Sequence, residues 1–486
     1  MRKVFFIVLV SVFLFAGRIS CQAETEQVSR VRSLRMANGM TLIFIPIGNS
    51  ANGSIYIGFK AGTLLDEEGF GGQARLLQRL MFKGTEHIGT RDWEKERQVF
   101  DELEKTGDQI IVKHQADKPD QKEIQDLVRK ALQLQDDVRR FYVPDEMKKL
   151  YDAYGAGEAW CLAGEDLLEF QTSFPRNYLE YFLLLESERI KEPVFRNFYE
   201  ERELLAAEME KASGRPGDER YAGLLSFVYG DGPYSGAAAG RAGEVRKITL
   251  SGMKKYAAKA LNPKGAVIVV SGDYDFEKVA ALCGKYFESV PSGEDTLIRD
   301  DGVIPAGKTP EAGKDPAGGT LLLAYLKPPG YSPRTEALLD LLVLYLSRGG
   351  AASLTGDRSA EFSGGICRNG DPGRLFRNLF LMELRLRDNV SREAAKKEAV
   401  DFFKNLCSSK FDNALFERTR RGLLIEILGS MEGQEGLSRR TGECFLYSGD
   451  AGAADAYVSA LRSAVPEDLN NAARELFSDA NRIQTQ

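Results

Sequence analysis

"GGQARLLQRLMFKGTEH", residues 71–87, decides how the chain is to be read. Its apolar positions recur at helical spacing, and Arg75, Gln78 and Arg79 fall at the i, i+3, i+4 intervals that gather side chains on one face of a helix. Two arginines and a glutamine on a segment otherwise apolar enough to be core need a reason. The surrounding sequence supplies the frame for one.

The chain has 486 residues, 43% of them hydrophobic, which is too long for a single core and enough for two. Residues 1–23, "MRKVFFIVLVSVFLFAGRISCQA", have the basic start, apolar run and small-residue exit of a secretory signal peptide. The apolar run is too short to span a bilayer comfortably, so no stable membrane span is expected. A mature chain starting near Glu24 and a periplasmic or secreted location follow. Cys21 raises the possibility of lipidation, but Arg18 stands where a lipid-attachment signal wants an apolar residue, so plain cleavage is preferred.

Cleavage removes Arg2, Lys3 and Arg18 and no acid, leaving 62 basic against 71 acidic side chains, a net charge of −9. That balance argues against a nucleic-acid partner. The five remaining cysteines (Cys161, Cys283, Cys367, Cys407, Cys444) are scattered and odd in number, which reads as separate, mostly buried thiols rather than a disulfide framework.

Two similar halves emerge along the chain. In the first, residues 24–295, "MTLIFIPI" and "GSIYIGFKAG" read as paired strands. A helical hairpin is inserted at about 93–150, where Ile124, Leu127, Val128, Ala131, Leu134 and Val138 keep helical spacing and "QADKPD" breaks it. "LLEFQTSF" is strand-like, helices run from Asn177 to about Gly214, and "AVIVVSGDYDFEKVAALCGKYF" reads as a buried strand, a turn and a helix. Residues 296–318, with Pro305, Pro310 and Pro316, have linker composition. The plan restarts in 319–486 with the strand "GTLLLAYLKP", a helix capped by Ser332 and Pro333, the strand "LFLMELRLRD" and then mostly helix. The expected fold is α+β, two similar domains, each a mostly antiparallel sheet packed with helices.

Two common chemistries drop out. "GVIPAGKT", 302–309, spells a phosphate loop, but Pro310 follows where the helix that should point its N-terminus at the phosphates must begin. The chain has only two histidines, His87 and His114, in polar surroundings and without a nucleophile signature, so both read as solvated surface residues.

The motif segment then acquires a family. "LRMANGMTLIFIP" followed by "GFKAGTLLDEEGFGGQARLLQRLMFKGTEHIGT" closely resembles the N-terminal region of the insulinase/pitrilysin zinc metallopeptidases, in which a glycine precedes an inverted H-x-x-E-H helix and "FKGT" follows it. "FPRNYLEYFLLLESERIKEPVF", "FYEERELLAAEME", "VYGDGPYSGAAAGRAGEVRKIT" and "NPKGAVIVVSGDYDFEKV" extend the resemblance over nearly all of the mature chain. On this resemblance the first metal histidine falls on Arg75, the catalytic glutamate on Gln78, the second metal histidine on Arg79, the third ligand on Glu208 and its supporting glutamate on Glu201. The family's substrate-gripping arginine could fall on Arg358, but Gly365 stands where its tyrosine partner would be.

The resemblance therefore implies a catalytically inactive member with no metal, no cofactor and no catalytic residues. Arginine keeps its proton and offers no lone pair to zinc, and glutamine cannot act as a general base. The family's working unit is a clamshell of four such domains, so the resemblance implies for a chain of two a heterodimer with a zinc-bearing relative, with peptides or unfolded polypeptide as what it would bind. The alternative is a stand-alone envelope binding or scaffold protein. Charge complementarity adds one geometric expectation: Arg79, and with it Arg75, should pair with Glu208 or Glu201, with Gln78 bridging.

Overall fold

The computed structural model describes residues 31–483 apart from 115, 117, 213–217, 231–233, 236–239, 294–318, 351–360, 389, 409 and 480. The signal segment, Cys21, the proline-rich stretch 296–318 and Arg358 lie outside the described residues. What is described is mixed α+β with two sheets.

The first sheet runs in the order β1-β2-β6-β3-β5-β4, from β1 (Arg32–Arg35), β2 (Thr41–Pro46), β3 (Asn52–Phe59), β4 (Trp160–Ala163), β5 (Leu168–Pro175) and β6 (Val267–Gly272). All neighbours are antiparallel except β2 and β6. The expected pairing of β2 with β3 is therefore corrected: β6 lies between them. The reason lies in its composition, because every residue of VIVVSG is buried and a strand apolar on both faces belongs in the middle of a sheet. The exposed β1 and the short β4 form the edges.

One face of this sheet, with Leu42, Phe44, Ile55, Ile57, Phe170, Ile268 and Val270, packs into the main core under the helices. The other face carries Ile43, Tyr56, Glu169, Gln171, Val269 and Ser271, and a helix from the second half, Gly433–Ser448, lies across it. Gly442 makes that approach possible, since a Cβ there would come within 2.2 Å of the Tyr56 ring. Gln171 donates to the Glu435 carbonyl at 2.6 Å, and Ser438 donates to Ser271 at 2.8 Å.

The second sheet is antiparallel throughout, in the order β10-β7-β9-β8, from β7 (Thr320–Leu326), β8 (Phe362–Asp371), β9 (Leu379–Leu386) and β10 (Arg482–Ile483). The helix Pro333–Tyr345, capped by Ser332, buries seven of its side chains between this sheet and the helices Asn413–Ser430, Ala453–Ser463 and Pro466–Leu476. Ala324, Leu326, Leu379 and Leu381 point the other way and join the first core, so the two halves share apolar surface. Asp166 and Tyr234 add a polar clasp. Tyr234 donates to Asp166 at 2.6 Å, and these two groups accept the backbone N–H groups of Arg374, Leu375 and Phe376.

The hairpin is formed by helices Trp93–His114 and Gln121–Arg139. Ile124, Ala131 and Val138, seven residues apart, are its buried seam, whereas Val128 is exposed. Asp120 caps the second helix by accepting from the Lys122 and Glu123 amides. The five cysteines are unpaired, with Cys161, Cys283 and Cys444 buried.

Candidate functional site

The motif helix, Gln73–Leu80, is placed by its own N-terminus. Gly72 enters it at φ +98°, a conformation that favours glycine, and the Asp66 carboxylate accepts from the Gly72 amide at 2.7 Å and the Ala74 amide at 2.9 Å, satisfying two orphan donors of the first turn. Burial pushes the Asp66 carboxyl up to about 6, against the opposing pull of those amides, the Tyr256 hydroxyl and Arg75. Ala74, Leu76, Leu77 and Leu80 face the core, which leaves Arg75, Gln78 and Arg79 half-buried on the remaining surface.

Beyond the helix, the "FKGTEH" turn is held by a fully buried guanidinium. Arg196 pairs with Glu96 of the hairpin at 2.6 and 3.1 Å and donates to the carbonyls of Thr85 at 2.9 Å, Ile88 at 3.1 Å and Lys83 at 3.3 Å. Both partners are fully buried.

Against the motif helix packs the helix Phe198–Ala212, which carries the two acids. Arg79 hydrogen-bonds Glu208 through Nη2, and its Nη1 stands 3.6 Å from Glu201. Lys83 completes the cluster with its Nζ 2.5 Å from the other Glu201 oxygen. Glu201 is the sheltered member at 15% side-chain exposure and Glu208 the open one at 59%. Each carboxylate is thus already engaged by a cation, in a cleft that water reaches.

The expected cluster forms around Arg79, with two corrections. Gln78 does not bridge it, because its Oε1 accepts the Ala163 amide of edge strand β4 at 3.0 Å. An outward-facing edge amide needs an acceptor, and a neutral carboxamide supplies one. Arg75 makes no ion pair with either glutamate among the described residues; its charge acts on Asp66 instead. Lys83 and Asp66 were not singled out from the sequence. Lys83 stands four residues after Arg79, spacing that could have found it; nothing local marks Asp66. His87 and His114 are exposed, as expected, and Gly365 lies on β8 with no tyrosine in its place.

Comparison with known proteins bears on the fold rather than on the cleft. Residues 247–423 match the family described as the peptidase M16 inactive domain. The zinc protease PqqE of Helicobacter pylori is 20% identical over 97% of this chain and 95% of its own length. Among solved structures, a peptidase M16 inactive domain from Pseudomonas fluorescens superposes with a TM-score of 0.66 at 17% identity, covering 94% of this chain and 97% of that one. The periplasmic protease PqqL of Escherichia coli gives 0.62 at 12% identity, covering 95% of this chain but 48% of that one.

Proposed function

We propose that this chain, a relative of the insulinase-type M16 peptidases through its matched inactive domain and its fold, is a non-catalytic subunit that pairs with a zinc-bearing relative. The observation that carries the reading is the ion cluster of Arg79 and Lys83 with Glu201 and Glu208. In this reading Arg75, Gln78 and Arg79 stand at the positions of the family's H-x-x-E-H motif and Glu208 at that of the third ligand.

That donor set does not fit zinc. A catalytic zinc site needs about three neutral or anionic ligands and an open position for water, whereas here two guanidiniums stand in the ligand positions and Lys83 joins Arg79 on the acids. A water molecule in the cleft would also find no base, since Gln78 has no proton affinity to offer and its carbonyl is committed to Ala163. The ion pairs take over the metal's mechanical role, joining the motif helix to the helix of the acids.

Length supports the pairing half of the proposal. This chain spans 48% of PqqL, a periplasmic protease whose single chain is about twice as long. A second chain would supply the missing half, with this one contributing wall and peptide-binding surface. The same likeness favours a periplasmic or secreted location, and no helix among the described residues is long and apolar enough to cross a membrane. Co-expression with a zinc-bearing relative from the same genome tests the pairing: a stable heterodimer with peptidase activity that neither chain has alone is expected. If the two elute separately at micromolar concentration, or the relative is fully active alone, a stand-alone scaffold role replaces this one.

A further inference from the structure

One group of metal-ligating side chains lies outside the motif cleft and is used by nothing described so far. His87, Glu188 and Glu192 each offer one ligand atom, and the three atoms lie within 4.8 Å of one another. Glu188 and Glu192 are one helical turn apart at the end of the helix Leu179–Lys191, where both carboxylates reach the same side, and His87 approaches from the turn after the motif helix.

Backbone pairing fixes the two arms against each other. Thr85 pairs with Pro193, the Val194 amide donates to Gly84 at 3.1 Å, and the Thr85 hydroxyl accepts the His87 and Ile88 amides at 3.1 Å. Arg196 holds the same turn through the Thr85 and Ile88 carbonyls. The imidazole is therefore presented to the two carboxylates by a stiff frame, although its ring is 67% exposed.

What the three groups do to one another is unsatisfying without a further partner. The His87 Nε2 stands 3.7 Å from Glu192 and 4.0 Å from Glu188, beyond hydrogen-bond distance to either. Among the described residues no lysine or arginine pairs with these acids, and the Glu188 Oε2 is shut off from solvent with no hydrogen-bond partner. Two neighbouring carboxylates, one with a buried unpaired oxygen, call for a cation between them. Ligand atoms around a tetrahedral zinc at ~2.0–2.1 Å sit ~3.3 Å apart, so modest rotation of the exposed His87 and Glu192 side chains closes the site.

We propose that His87, Glu188 and Glu192 bind a divalent transition-metal ion of the zinc class, with water completing its coordination, at a structural site separate from the motif cleft. One imidazole nitrogen and two carboxylates select such an ion over magnesium or calcium, which prefer all-oxygen sets. Bound there, the ion joins the "FKGTEH" turn to the end of the Leu179–Lys191 helix.

Titration calorimetry of the chain with Zn²⁺ tests this, using His87→Ala, Glu192→Gln and, as the control in the motif cleft, Glu208→Gln. One site is expected in the unaltered chain, weakened about tenfold or more by either change at the proposed site and unchanged by Glu208→Gln. All three positions are exposed, so the variants should fold, and circular dichroism checks that they do. Absence of binding in the unaltered chain, or equal binding by His87→Ala, overturns the proposal. Binding that is lost with Glu208→Gln but kept with His87→Ala would overturn it and the reading of the motif cleft together.

Discussion

At the scale of single residues, two arginines close in space carry very different energies. Arg79 lies in a cleft open to water, and Glu201 keeps Lys83 if Arg79 is removed. Arg79→Ala should therefore cost about 0–1 kcal/mol, as exposed pairs do; a loss of 3 kcal/mol or more in urea unfolding would mean the cluster is desolvated. Arg196 is the opposite case. It and Glu96 are both fully buried, and Arg196→Ala strands the carboxylate and three loop carbonyls. A cost of about 3–5 kcal/mol is expected in the same experiment, and a cost below about 1 kcal/mol would contradict the buried-pair description. The Arg79–Glu208 contact was legible through the resemblance, which sets the helix of the acids against the motif helix; charge complementarity then pairs the two. The destinations of Gln78 and Arg75 were not, because the edge amide of Ala163 and the carboxylate of Asp66 reach the motif helix only through the fold.

At the scale of elements, the helix Gly433–Ser448 lies over a sheet face that holds a buried acid. Burial, and then the charge of Glu443, push the Glu169 carboxyl up to about 7, against the opposing Arg439 and the Tyr56 hydroxyl. Its ordinary value is 4.5, so between about 4.5 and 7 the folded chain holds a proton that the unfolded chain has lost. Stability contributed by this group is therefore full below that window and falls as pH rises through it, by about 3 kcal/mol in all. Glu169→Gln should flatten that part of the profile, seen as a smaller difference between urea midpoints at pH 5 and pH 8. An unchanged difference would show that Glu169 does not titrate in that window. Most elements here could be read from period and capping: the motif helix, the hairpin, β5, β6, β7, β9 and the Ser332-capped helix. The exceptions have physical causes. β8, "FSGGICRNGD", alternates poorly because it is a half-exposed edge with register shifts. The order of the first sheet depends on contacts between distant segments that local pattern does not encode.

At the scale of the whole molecule, the two halves are joined by shared core, by the helix laid across the first sheet and by the clasp of Asp166 and Tyr234 on residues 374–376. The two sheets were legible from the repeated order of strands and helices; the core they share was not, because a strand apolar on both faces says that it is covered and not by what. On the proposed reading, such a unit is half of a peptidase-like assembly in which ion pairs stand where relatives hold a metal. The replacement can be reversed. In a His87→Ala background, which removes the second proposed site from the count, zinc per chain should be measured by elemental analysis before and after restoring the motif with Arg75→His, Gln78→Glu and Arg79→His. The expected result is no stoichiometric zinc before restoration and about one zinc after it, lost again on Glu208→Gln. Zinc bound through Glu208 before restoration, or a folded restored chain that takes up none, would contradict the claim.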